Sequence, residues 1–254
     1  MKKEYILLID SGIGGLSTLA EFIKNIKTNY LYFADNAHCP YGNHTKNEII
    51  HYLKDAIISL SKKYYFKIVV IACNTATASA IENLRENFPN ITFIGIEPAL
   101  KLSYDKGYKK ILSIATPLTL KQDKYIKLTS KFNIKIKSYA CKNLAKNIEN
   151  YCIDNSIYKK YLLLKEIYQI KKLSKYYNCI VLGCTHYSII KNMIINHTKK
   201  IIIDGNAGVS KKLLKSLSKN DMENKNYKVK FILSNNDKIQ KEKYIKILNQ
   251  ILAK

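Results

Sequence analysis

Two of the six cysteines in this 254-residue chain, at positions 73 and 184, have a setting suited to proton transfer. Cys73 follows the apolar run IVVIA and opens CNTATASA, while Cys184 follows CIVLG and opens CTHYS. Each stands where a strand should end and a helix begin. There the unpaired first-turn N–H groups and the helix dipole favour thiolate over thiol. A free thiol ionises near pH ~8.5, so a modest depression supplies basic sulfur near neutrality. Asn74 and Thr75 follow the first cysteine, and Thr185 and His186 follow the second. All four form hydrogen bonds, an odd surrounding for an inert buried cysteine. Cys141, Cys152 and Cys179 read as small buried hydrophobes. No two cysteines form a C-x-x-C pair, so neither a zinc ribbon nor a thioredoxin-type site is expected.

The elements that must position these groups alternate along the chain. Strands are predicted at Tyr5–Ile9, Tyr30–Phe33, Ile68–Ala72, Thr92–Ile96, Lys110–Ile114, Lys135–Tyr139, Cys179–Leu182, Ile201–Ile203 and Lys228–Leu233. Near-continuous apolar strands suit a parallel sheet covered on both faces. Helical stretches such as Lys46–Tyr64 and Tyr158–Tyr176 supply the crossovers. The fold class is α/β. A weak internal echo divides the chain. ILLIDSGIGGLSTL and ILSIATPLTL each read as strand, small-residue turn and helix, and each is followed at a similar offset by an apolar strand ending in cysteine. A duplicated unit would set two cysteines at matching strand ends on halves that can face each other. Ligands of open α/β sheets bind at the carboxyl ends of strands, where Asp10, Cys73, Thr116 and Cys184 all fall.

Composition narrows the function. With 47% apolar residues the chain can bury a core. No run reaches the ~18 apolar residues of a membrane helix, and the apolar run near the start is too short for a secretory signal. A cytoplasmic location with reduced cysteines is expected. The net charge of +24 is almost all lysine, with Arg85 the only arginine. Readers of nucleic acid favour arginine for bidentate contacts, so nucleic-acid binding is not expected as the main function.

Two other chemistries fit parts of the sequence. GIGG after a strand, with Asp35 at the end of the next, resembles a dinucleotide fingerprint, but Ser17 replaces its third glycine. A cysteine hydrolase could use Cys73 and His186, leaving Cys184 idle. Asp10 could be a simple helix cap before the stretch starting near Gly14, and Tyr41–Gly42 a simple turn.

Taken together, DSGIGGLSTL, DNAHCPYG, ACNTATASA, and LGCTHY followed by IIIDGNAG resemble the glutamate racemases of the aspartate/glutamate racemase family, in order and spacing along nearly the whole chain. The resemblance implies two similar parallel-sheet α/β domains related by pseudo-symmetry, with the active site in the cleft between them. The expected division is residues 1–97 with 207–254 in one domain and 98–206 in the other. The implied reaction interconverts L- and D-glutamate for peptidoglycan, without pyridoxal phosphate, nucleotide or metal. Aspartate or another amino acid is the alternative substrate within the family, and a homodimer is the expected assembly. By motif, Cys73 and Cys184 correspond to the two bases, with Asp10 and His186 each assisting one. Asp10, Ser11, Tyr41, Gly42, Asn74, Thr75, Thr116, Thr185 and His186 correspond to substrate contacts. Glu149 corresponds to a further acidic helper, in a segment, CKNLAKNIEN, that lacks the family's proline. Cys39 is expected in the wall of the site, and His38 is given no role.

Overall fold

The structure is a computed structural model that describes residues 3–217 and 226–253. Residues 1–2, 218–225 and 254 of the expected first domain lie outside the described residues. The first half runs β1 (Glu4–Asp10), α1 (Leu16–Asn25), β2 (Tyr30–Ala34), α2 (Lys46–Ser61), β3 (Tyr65–Ile71), α3 (Asn74–Asn87) and β4 (Thr92–Gly95). Single 3-10 turns at Asn36–His38 and Tyr41–Asn43 fill the loop before α2. The second half runs α4 (Leu100–Asp105), β5 (Lys110–Ala115), α5 (Pro117–Lys121), α6 (Asp123–Ser130), β6 (Lys135–Ala140), α7 (Leu144–Ile153), α8 (Ile157–Ser174), β7 (Cys179–Gly183), α9 (Thr185–Ile189), α10 (Lys191–Thr198) and β8 (Ile201–Ile203). The chain then returns through α11 (Asn206–Lys215), β9 (Val229–Leu233) and α12 (Lys238–Leu252).

All described strand pairings are parallel and form two sheets, β4-β3-β1-β2-β9 and β6-β5-β7-β8. Read from the other edge, the second sheet runs β8-β7-β5-β6. Its order therefore repeats the first, with β5 in the place of β1 and β7 in the place of β3. The internal echo in the sequence is thus an echo of topology. In each sheet the chain leaves its first strand in one direction and returns on the other side. The crevice at that switch point lies between β1 and β3, and again between β5 and β7.

Burial explains why these segments are strands. From Tyr5 onward β1 is buried without a break, and β7 is buried throughout, as parallel strands covered on both faces must be. Edge strand β6 instead is nowhere fully buried and alternates over Lys135–Ser138, because only one face is covered. Helix α2 begins with a capping box, Thr45 with Glu48, and presents Ile49, Leu53, Ile57 and Leu60 inward at helical spacing. A single apolar core continues through both halves, from Leu8, Tyr32 and Val70 under the first sheet to Leu112, Ile180 and Leu182 under the second, joined by Ile13, Leu16 and Tyr187. Separate cores back the outer faces, one under α2 and α3 and one under α4. No helix among the described residues is long and apolar enough to cross a membrane.

Candidate active site

The switch points place the candidate groups. Asp10 is the last residue of β1, and Thr116 directly follows β5. Cys73 is the N-cap residue of α3 and Cys184 that of α9, both in extended backbone and both buried. The two cysteines hold equivalent positions on the two sheets.

The Gly-rich turn after β1 lets the halves meet. A Cβ on Gly12 would lie 2.5 Å from Glu149 Oε2 and 2.7 Å from Cys39 Sγ, and one on Gly14 would lie 2.5 Å from His186 Nδ1. These glycines are needed for the close approach of side chains from the other half and from the following loop. That answers the dinucleotide reading, in which they would face a pyrophosphate. Asp35 also departs from that reading. It is buried, accepts the Tyr41 hydroxyl at 2.7 Å and contacts His38 Nδ1 at 2.9 Å. The Tyr41 hydroxyl is therefore directed to Asp35, while the backbone of Gly42 faces Thr116, whose Cβ would stand 3.1 Å from an added Cβ.

Asp10 does not cap α1, which starts at Leu16 behind Gly15 with no side-chain cap. One carboxylate oxygen accepts the Gly12 N–H at 2.8 Å, and the other accepts the Thr185 hydroxyl of the second half at 2.9 Å. Burial lifts its pKa to about 6, against the pull of nearby His186. Ser11 is buried in the same turn. Across the cleft, His186 Nε2 meets Glu149 Oε2 at 2.7 Å, and His186 Nδ1 lies 4.0 Å from Cys184 Sγ. Burial opposes charge on the imidazole, but Cys184, Cys39 and Glu149 outweigh it and hold His186 well above its ordinary value. Burial likewise opposes the Glu149 carboxylate, but His186, the Ile13 N–H and the Tyr244 hydroxyl hold it below its ordinary value. The pair is an imidazolium–carboxylate pair. Glu149 is further fixed by the Ile13 N–H at 3.0 Å and by the Tyr244 hydroxyl at 2.9 Å.

At Cys73 the expected depression is reversed. Burial, followed by the Asp10 carboxylate, pushes this thiol up, and the Ala76 N–H at the helix start does not offset them. The helix-end effect is a few tenths to ~1 kcal/mol at exposed sites, whereas full burial of a charge shifts equilibria by several pKa steps. Cys73 is therefore a thiol in this closed site.

Hydroxyls line the remainder. Thr75, Thr116 and Thr119 close a buried triangle across the two halves, with oxygen separations of 2.9, 3.0 and 2.9 Å. The Asn74 Nδ2 group is buried without a hydrogen-bond partner, a donor available to a ligand. A neighbouring cavity of about 210 Å³ is lined by Asn74 and Thr119 together with Lys124 and Lys127, and neither cysteine lines it. Arg85, the only arginine, is instead bonded to Glu82 and the Phe93 carbonyl.

Thr119 and Tyr244 were not among the expected site residues. The first had a readable signal, since TPLT places a threonine three residues after a threonine N-cap, within hydrogen-bond reach. The second had none, because its partner Glu149 is distant in sequence.

Comparison with known proteins agrees with this geometry. Residues 29–210 match a family model described as Asp/Glu/Hydantoin racemase. The glutamate racemase of Clostridium botulinum (strain Alaska E43 / Type E3) is 39% identical over 229 residues, which cover 88% of this chain and 87% of that protein. The glutamate racemase of Clostridium novyi (strain NT) is 38% identical over 256 residues, 96% of this chain and 95% of that one. Among solved structures, a glutamate racemase isoform of Bacillus anthracis superposes with a TM-score of 0.81 at 27% identity, covering 100% of this chain and 96% of that chain.

Proposed function

Because this chain belongs to the Asp/Glu/hydantoin racemase family and is an amino-acid racemase, we propose that it interconverts L- and D-glutamate, with Cys73 and Cys184 as the two proton-transfer groups. The observation that carries this reading is the equivalence of the two cysteines. Each caps a helix at the switch point of its own sheet, and the two sheets have the same strand order. Inversion at Cα needs a base on one face and an acid on the other, and paired thiols on opposed halves meet that need in both directions.

The electrostatics suggest which sulfur begins in which role. Cys73, beside Asp10, starts as the acid. Cys184, at the equivalent position on the other half, takes the complementary role, with His186 Nδ1 4.0 Å from its sulfur and His186 in turn held by Glu149. L-Glutamate would lose its α-proton to Cys184 and receive one from the Cys73 thiol on the opposite face. In this reading the hydroxyls of Thr75, Thr116 and Thr185 and the Asn74 amide bind the substrate carboxylates without a guanidinium. Donors held in a closed site stabilise the charge that grows on the α-carboxylate. The chemistry asks nothing of pyridoxal phosphate, nucleotide or metal. D-Glutamate made in this way would serve peptidoglycan assembly. The glutamate assignment rests on the named relatives that span most of this chain.

The test is chiral analysis of the purified protein incubated with L-glutamate and, separately, with L-aspartate. D-Glutamate should accumulate to a racemic mixture. Turnover of aspartate alone would move the assignment to the sister substrate.

A further inference from the structure

Cys39 is a thiol for which the racemase reading has no use, yet it stands against the His186–Glu149 pair. We propose that Cys39, Glu149 and His186 form a binding site for a zinc-type divalent cation, and that occupation of this site arrests the enzyme. The three donor atoms lie within 4.8 Å of one another. The space in which Cys39 and Glu149 converge exists because Gly12 has no Cβ; an added one would press on both.

The donor chemistry selects the metal. One thiolate, one imidazole and one carboxylate form a borderline-soft set, typical of tetrahedral zinc with its fourth position open. Zinc bonds of about 2.0–2.3 Å hold neighbouring donors roughly 3.3–3.6 Å apart. The 2.7 Å contact between His186 and Glu149 must therefore open by about half an ångström. Three donors already gathered within 4.8 Å need only side-chain adjustment to reach the rest. Two protons leave as the metal enters, one from the Cys39 thiol and one from the imidazolium, and both pass to solvent. Cys39 is partly exposed as a residue, but its sulfur points inward against Gly12, so an ion reaches the three donors only as side chains part.

The expected arrest rests on the racemase reading, but the binding does not. The metal takes Nε2 from Glu149 and draws the ring toward Cys39, which disturbs the 4.0 Å contact of Nδ1 with Cys184. Zinc is thus an inhibitor here.

The test uses cobalt(II) as the spectroscopic stand-in for zinc on the full-length protein. The wild type should develop a near-ultraviolet sulfur-to-cobalt band and four-coordinate visible bands at one equivalent, both abolished by zinc. Cys39→Ser should lose the sulfur band. Its absence from the wild type, or its survival in Cys39→Ser, overturns the proposal. A second measurement needs no variant. One equivalent of zinc should slow alkylation of Cys39 by iodoacetamide, read by peptide mass spectrometry, while Cys152 labels as before. Unchanged labelling of Cys39 overturns the site. An inactive protein that still gives the cobalt band would count against the racemase reading alone.

Discussion

His186 and Glu149, on α9 and α7, form a buried ion pair with Nε2 and Oε2 2.7 Å apart. The pair supports the imidazole that lies beside Cys184. Glu149→Gln keeps the shape and removes the charge. Raised His186 contributes stability that is present below its ordinary value and lost as pH rises through its elevated one. Depressed Glu149 contributes stability present above its ordinary value and lost as pH falls through its lowered one. Stabilisation by the pair therefore spans the region around neutrality. Breaking it should cost about 3 kcal/mol there in urea unfolding. NMR should show the His186 ring titrating at lower pH, and activity should fall by roughly 10²-fold. An unmoved His186 titration would refute the pairing.

Asp10 behaves in the opposite sense to an ordinary surface carboxylate. Burial raises it from 3.8 to about 6. Its contribution to stability is present below the unfolded value and lost as pH rises through about 6. Asn does not titrate. The stability of Asp10→Asn relative to wild type should therefore improve by on the order of 2–3 kcal/mol between pH 4 and pH 7. Activity should nevertheless drop. A pH-independent difference between the two proteins would disprove the shift.

Gly14 tests the close approach of the halves. What excludes a side chain is the space in front of Gly14, where a Cβ would stand 2.5 Å from both His186 Nδ1 and Thr185 Oγ1 and 2.8 Å from the His186 backbone nitrogen. Gly14→Ala should cost about 1–3 kcal/mol through overpacking. It should also displace His186, lowering kcat by roughly 10²-fold or more. Near wild-type kcat would show that the halves adjust freely.

The sequence made some of this visible and hid the rest for physical reasons. All nine described strands match predicted ones, because parallel strands buried on both faces leave continuous apolar runs. Their ends moved by up to three residues, as at β3, which starts at Tyr65 through an irregular pairing with Glu4 of β1. The cysteines, Asp10 and Thr116 were legible from strand ends alone. The direction of the Cys73 shift was not, because depth of burial has no local signature. Tyr41 was expected at the substrate, but its hydroxyl is turned to Asp35. Glu149 could be placed only by resemblance, since its contacts to Ile13 and Tyr244 join residues far apart in the chain.

The two-thiol mechanism has the sharpest test. If Cys73 and Cys184 flank Cα, removing either leaves one base with no acid opposite, and inversion stops. Cys184→Ala in deuterated water should wash label into D-glutamate without forming L-glutamate, since the family resemblance sets Cys73 at the D face. Cys73→Ala should do the same with L-glutamate. Exchange should be slow, because a buried S–H can return its own proton before solvent replaces it. Racemisation, by contrast, should fall by roughly 10²–10⁴-fold or more in each variant. The equilibrium constant between enantiomers is one, so kcat/KM must fall equally in both directions even though the two thiols sit in unlike fields. The asymmetry between a Cys73 held as thiol by burial and by Asp10 and a Cys184 beside His186 can therefore appear only in the exchange rates and in kcat and KM taken separately. Either single variant racemising at near wild-type rate would sink the mechanism. His186 and Asp10 both act on Cys73, but one is held in an ion pair and the other is bonded to Gly12 and Thr185, so neither is free to replace a missing sulfur.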